Sequence, residues 1–279
     1  MHPTNMSDIA CKRIEKAPSK VGGRRYQRPA TSDDPAGSPD KDAVRLSSQT
    51  LRSSANSFAI MPSHTSKELL AALLKTTEAD IIPLTREGVT SGSKVFGAAI
   101  LSAASLAPYT VATNDERTSP LLHGEINCIQ KFYTVSHPDP ASRPSPGDDC
   151  VFFATHEPCS LCLSGITWSG FKELYFLFTY EDSRDRFAIP YDLEILEEVF
   201  RVKAEGETDA ALSRRALYNR SNKFFEARSL GDLVEDLEDA AEREHWAAEV
   251  ERVKALYDGL SKTYQEGKKS GAATSSTWK

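Results

Sequence analysis

Two short runs constrain this chain more than anything else in it: His123-Gly124-Glu125 within LLHGEINCI, and Pro158-Cys159-Ser160-Leu161-Cys162 within THEPCSLCLSGI. Imidazole nitrogen and thiolate are donors that zinc prefers, and three of them leave a tetrahedral ion with one open position. Cys159 and Cys162 are three apart, so a single helical turn brings both sulfurs to the same ion. His123 must reach that ion from elsewhere in the chain. Any fold this sequence adopts therefore has to hold two helix starts against each other.

The spacing also suits a reaction. A zinc held by three protein ligands lowers the pKa of a bound water enough to supply hydroxide near neutrality. Glu125, two residues after His123, is placed to take that proton and pass it on. Asp would be a methylene shorter, and Gln carries no proton to shuttle. Each half of the pattern alone has ordinary readings, since C-x-x-C also serves redox pairs and structural zinc knuckles. A structural four-ligand site would have to draw on Cys128, Cys150 or His156. Cys128 reads as a small residue packing inward and Cys150 as the start of a buried strand. His156, beside the Pro-Cys turn, stays open as a ligand. Cys11 lies in a segment with no apolar pattern.

Periodicity places these motifs on elements. Phe96 to Leu101 and Val151 to Ala154 are short apolar runs bounded by Gly, Pro and Asp, as buried strands are, and Leu174 to Tyr180 is another. Glu125 to Tyr133 carries a helical stripe of Ile126, Ile129 and Phe132 to Tyr133. Pro158 suits a first helical position, with the helix running to Ser169 and stopped by Gly170. Ile189 to Phe200 reads as another helix, and Thr65 to Leu74 as a capped one. Asp80 to Lys94, with Pro83, Gly88 and Gly92, reads as a linker at a pocket rim, and His137 to Asp149 as an exposed loop. Strands alternating with helices predict an α/β fold, a three-layer α-β-α sandwich with a central mixed sheet and a helical C-terminal extension.

The expected organisation is a disordered basic arm over 1–60, a catalytic domain over 65–203, a helical extension over 204–267 and a disordered tail over 268–279. In the extension, Leu230, Leu233 and Leu237, then Val250, Val253, Tyr257, Leu260 and Tyr264, give two apolar stripes. These suit packing on the domain, with a two-heptad coiled coil as the alternative. The segment Tyr218 to Phe225 mixes aromatics with polar groups and is a candidate cap for the site. Met61 reads as an alternative start.

From about Lys94 to Tyr180 the chain resembles the cytidine deaminase-like superfamily, in the branch of cytosine, guanine and tRNA adenosine deaminases. Val95 to Leu101 looks like that family's first core strand, Thr113-Asn114 like the end of its second, and Ser119 to Ile126 like the start of its zinc helix. Gly124 is similar to cytosine deaminases, and Glu157 before the Pro-Cys pair to guanine and tRNA adenosine deaminases. The resemblance implies hydrolytic deamination of a nucleobase or nucleoside with one Zn2+ per chain. It implies His123, Cys159 and Cys162 as metal ligands and Glu125 as proton shuttle. Asn114 would then bond the substrate ring, the Gly124 N–H a ring carbonyl, and Asp182 an exocyclic amine. Read as bare residues, Asn114-Asp115 is also a turn former and Asp182 an exposed loop acid.

Charge bears on the substrate. The chain carries a net −6, and its first 60 residues hold ten Lys or Arg against six Asp or Glu, so the remainder is more acidic still. Polynucleotide binders need a basic surface. A small nucleobase or nucleoside is therefore the expected partner, with a tRNA adenosine deaminase, or a subunit of one, as the alternative. Five cysteines, two of them placed for metal, do not form a secreted disulfide framework, so a reducing compartment, cytoplasmic or nuclear, is expected. No apolar run approaches a membrane span. The expected assembly is a homo-oligomer, most simply a dimer.

Overall fold

The computed structural model describes residues 64–277. The basic arm, Cys11 and the Met61 start lie outside the described residues. Five strands form one sheet in the order β2-β1-β3-β4-β5: β1 (Gly97–Ser102), β2 (Pro108–Thr113), β3 (Cys150–His156), β4 (Glu173–Phe178) and β5 (Glu226–Ser229). β1 pairs antiparallel with β2 and β3, whereas β3/β4 and β4/β5 are parallel, so the sheet is mixed. Every residue of β1 and β3 is buried, as expected of strands covered on both faces.

Strand periodicity divides the core in two. Ala99, Leu101, Val151, Phe153, Tyr175 and Leu177 face one layer, and Ala98, Ile100, Phe152, Ala154, Leu174 and Phe176 the other. The first layer packs against α1 (Ser66–Thr76), α2 (Ile82–Thr90) and the C-terminal helices; the second against α3 (Gly124–Lys131) and α4 (Ser160–Ser169). This is the α-β-α sandwich that the pattern predicts. Thr65 caps α1 through a complete capping box with Glu68.

Several boundaries move. Asp80 to Lys94 is not a linker: α2 fills it, with Pro83 in the first turn, where a missing N–H is harmless. Pro158 stands one residue before the N-cap of α4, which is Cys159 itself, and Gly170 ends that helix at φ +84. Between β4 and the helix expected from Ile189 lies a further helix, α5 (Tyr180–Phe187), capped by Thr179. The predicted helix then appears as α6 (Tyr191–Ile195) followed by a π-helical turn, Leu196–Phe200. A short α7 (Asp209–Arg214) precedes β5.

The C-terminal third is more than a helical extension, because β5 completes the sheet. α8 (Leu230–Glu235), α9 (Ala240–Ala255) and α10 (Tyr257–Ser270) follow it. Leu230, Leu233, Val250, Val253, Tyr257, Leu260 and Tyr264 are all buried in the first core layer. Their stripe is spent on the chain's own sheet, so it offers no coiled-coil seam. The tail expected to be disordered from 268 begins inside α10, and its described residues return to pack on the domain. No described helix is long and apolar enough to cross a membrane.

α3 lies unusually close to the sheet. A Cβ on Gly124 would stand 2.8 Å from the Cα of Gly97 in β1, closer than real side-chain contacts come. Gly124→Ala should therefore lower stability by about 1–3 kcal/mol through overpacking against backbone that cannot yield, read as a lower thermal midpoint; an unchanged midpoint contradicts the close approach. His156 offers a second test. Its ring stacks on Phe178 at 4.6 Å and 24°, and its Nε2 is buried without a partner. Burial, then the charge of Lys254, holds its pKa well below 6.5. The unfolded chain takes up a proton there below about pH 6.5 and the folded chain does not, so stability falls on acidification by about 1.4 kcal/mol per pH unit. Thermal midpoints between pH 7.5 and 5.5 should fall more steeply for wild type than for His156→Phe. Equal slopes would contradict a neutral buried ring.

Candidate active site

The loop between β2 and α3 sets the geometry. Asp115 N–H donates to Leu122 O at 2.9 Å, closing the loop so that Asn114 and Gly124 meet. Asn114 Oδ1 accepts the Gly124 N–H at 2.6 Å. That bond satisfies one of the free amides at the start of α3 and fixes the extended backbone of His123, its N-cap. Cys159 is likewise the N-cap of α4. Glu157 braces the turn before it, accepting from Tyr180 N–H, Tyr218 hydroxyl and Arg220, while Tyr180 donates to Pro158 O at 2.5 Å. The Tyr218 segment thus supports the metal turn through Glu157. Phe225 is core and Phe224 exposed.

His123, Cys159 and Cys162 converge, with ligand atoms all within 4.8 Å of one another. His123 Nδ1 lies 3.4 Å from Cys159 Sγ and 3.7 Å from Cys162 Sγ. Zn–S bonds of about 2.3 Å and Zn–N bonds of about 2.0–2.1 Å in tetrahedral geometry put N and S about 3.5 Å apart. The donor set therefore fits zinc in both type and spacing. Cys159 is held well below the usual thiol pKa by its contact with Cys162, then by His123, as a ligand thiolate needs.

Other sulfurs stand apart from this cluster. Cys128 is fully buried, with its Sγ toward Thr110 O, and burial pushes its thiol far up. Cys150 is a buried strand residue, and His156 sits in its aromatic cage. None of the three completes a four-ligand set.

Glu125 is buried, and its Oε2 has no partner in the protein. Burial, then the charge of Cys159, pushes its carboxyl up to about 7. Such a group holds or releases a proton with equal ease at neutral pH. Asn114 keeps Nδ2 buried and unpartnered, a donor without an acceptor. Its Oδ1, however, is taken by Gly124, and that same bond removes the Gly124 N–H from the groups available to a ring carbonyl. That hydrogen bond occupies the accepting side of Asn114 and the Gly124 N–H, and leaves the Asn114 amide donor.

Asp182 is not brought to the site. It caps α5 by accepting from Thr179 N–H and pairs with Lys254 at 2.9 Å. The acid that does face the metal ligands is Asp192, on α6. It shares a cavity of about 230 Å³ with His123 and Cys159, walled further by Phe96, Tyr191 and Lys94. Burial, then the charge of Cys159, raises its carboxyl to about 7. Sequence reasoning missed Asp192 because it sits within an ordinary amphipathic pattern. The Pro190 before its helix was the only local sign of a turn into the site.

Residues 81–178 match the cytidine and deoxycytidylate deaminase zinc-binding region. No curated protein sequence matches the chain. Among solved structures it is similar to guanine deaminase from Bacillus subtilis, at 28% identity over 50% of this chain and 80% of that one, with a TM-score of 0.38. It is similar also to guanine deaminase from Nitrosomonas europaea, at 17% identity over 63% and 81%, TM-score 0.33. A tRNA:A34 deaminase of the wobble position aligns at 14% identity over 53% and 92%, TM-score 0.32. Residues 81–178, which hold both halves of the metal motif, thus form a cytidine and deoxycytidylate deaminase zinc-binding region with His123, Cys159 and Cys162 as its metal donors.

Proposed function

We propose that the protein hydrolytically deaminates a small nucleobase or nucleoside, exchanging a ring amine for an oxo group with release of ammonia. The observation that carries this reading is the buried Glu125 carboxyl, its Oε2 without a protein partner, beside three zinc donors of which His123 and Cys159 line a small cavity together with Asp192. When bound, zinc in such a three-donor site supplies the Lewis acidity that makes water nucleophilic at neutral pH. Glu125 accepts one proton from the attacking water and delivers it to the ring nitrogen, then takes the second from the hydroxyl now on the ring carbon and delivers it to the amine, which departs as ammonia and leaves the oxo group. The free Nδ2 of Asn114 donates to a ring acceptor. Asp192 accepts from a ring N–H or a second exocyclic amine.

A small compound fits better than a folded RNA. The described surface is acidic on balance, and the cavity is walled by residues from five separate segments. The three donors that would hold the metal, His123, Cys159 and Cys162, all come from one chain.

Zinc-loaded protein should therefore release ammonia from at least one member of a panel of cytosine, adenine, guanine and their nucleosides. Inosine formed only in an anticodon-stem RNA would contradict the small-base reading and favour the tRNA enzyme. Glu125→Gln should keep its zinc and lose about 10²–10⁴-fold in turnover, measured as metal content beside ammonia release. Cys159→Ser should lose the zinc. Turnover surviving in Glu125→Gln would remove the carboxylate from the mechanism.

A further inference from the structure

The chain leaves α10 at Gly271, with φ +80, and returns to the metal side of the molecule. Three contacts tie it there. Ser275 donates to Glu116 O through both its N–H and its hydroxyl. Lys94 Nζ donates to Ser276 Oγ at 2.8 Å. Gly92, at φ +92, leaves room for the passing backbone: a Cβ there would lie 2.9 Å from Ala273 O. Ser276 and Thr277 then line the same cavity as His123 and Cys159, so the C-terminal segment is one of its walls.

Lys94 is held at that wall. Its ammonium donates to Glu116 Oε1 at 2.5 Å as well as to Ser276, and its own N–H donates to Glu116 Oε2 at 2.8 Å. The side chains of the pair are 8% and 1% exposed. A buried ion pair adds little stability over an apolar replacement, so its presence at a ligand cavity calls for another role. An ammonium has three donors, and these bonds use two. Lys94 lines the cavity together with Asp192, which offers the opposite hydrogen-bonding character.

We propose that Lys94 is a specificity-determining residue that donates its remaining N–H to an exocyclic oxygen of the bound base, with Ser276 and Glu116 aiming it. This rests on the deaminase reading and narrows it to amino-oxo bases, in which one exocyclic oxygen accompanies the reacting amine. Adenine lacks that oxygen and is discriminated against at this wall.

Two pairs of probes differ by that single oxygen: guanine against 2-aminopurine, and cytosine against 4-aminopyrimidine. Binding is measured by calorimetry on zinc-loaded Glu125→Gln protein, which binds without turnover. The oxo member of one pair should bind at least about tenfold more tightly, and Lys94→Met should erase that preference while leaving the affinity of the oxygen-free partner within about threefold. Lys94→Met strands the Glu116 carboxylate, so Lys94→Met with Glu116→Gln serves as the charge-balanced second variant. A merely structural Lys94 would weaken both members of a pair alike. A preference that survives either variant, no preference in either pair, or no binding by any of the four overturns the proposal. The deaminase reading stands or falls separately, on ammonia release by wild type.

Discussion

The close approach of α3 to β1 is the constraint on which the rest of the site depends. With no Cβ on Gly97 or Gly124, the first turn of α3 sits directly on strand backbone, and Asn114 Oδ1 locks it there through the Gly124 amide. His123 and Glu125 flank that glycine and inherit its position. α4 approaches from the neighbouring strand, with Gly165 admitting the Ile126 side chain, since a Cβ there would lie 2.5 Å from Ile126 Cδ1. Small residues at both contacts let two helix starts present three donors to one point.

Burial then sets the chemistry of the acids. Glu125 and Asp192 are both raised to about 7 by loss of water, so each exchanges protons under neutral conditions, where an exposed carboxyl would stay ionised. Glu157 is also raised by burial, but Arg220 and Tyr218 bond its carboxylate and turn it into a brace for the Pro-Cys turn. Two buried acids, Glu125 and Glu157, and the half-buried Asp192 are thus distinguished by the partners that surround each.

How much the sequence disclosed follows from how far each feature depends on local chain. The metal triad and Glu125 were legible because ligand chemistry imposes tight spacing, which His123-x-Glu125 and Cys159-x-x-Cys162 carry openly. The strands β1, β3 and β4 were legible because burial on both faces makes continuous apolar runs. β5 was not: Glu-Ala-Arg-Ser buries only alternate residues and takes its place from pairing with β4. A capping box claims Asp182 and the fold brings Asp192 to the cavity instead, and neither is visible in composition. The tail was unreadable for the same reason, its order coming from Glu116 and Lys94 far away in sequence.

The central claim is a zinc with three protein donors and one open position. X-ray absorption at the zinc edge of the loaded protein tests it most directly. Two sulfurs at about 2.3 Å and two light atoms at about 2.0–2.1 Å, one of them exchangeable by a small anion, is the predicted result. A third sulfur in the shell, or four protein donors with nothing exchangeable, would make the site structural and contradict the account.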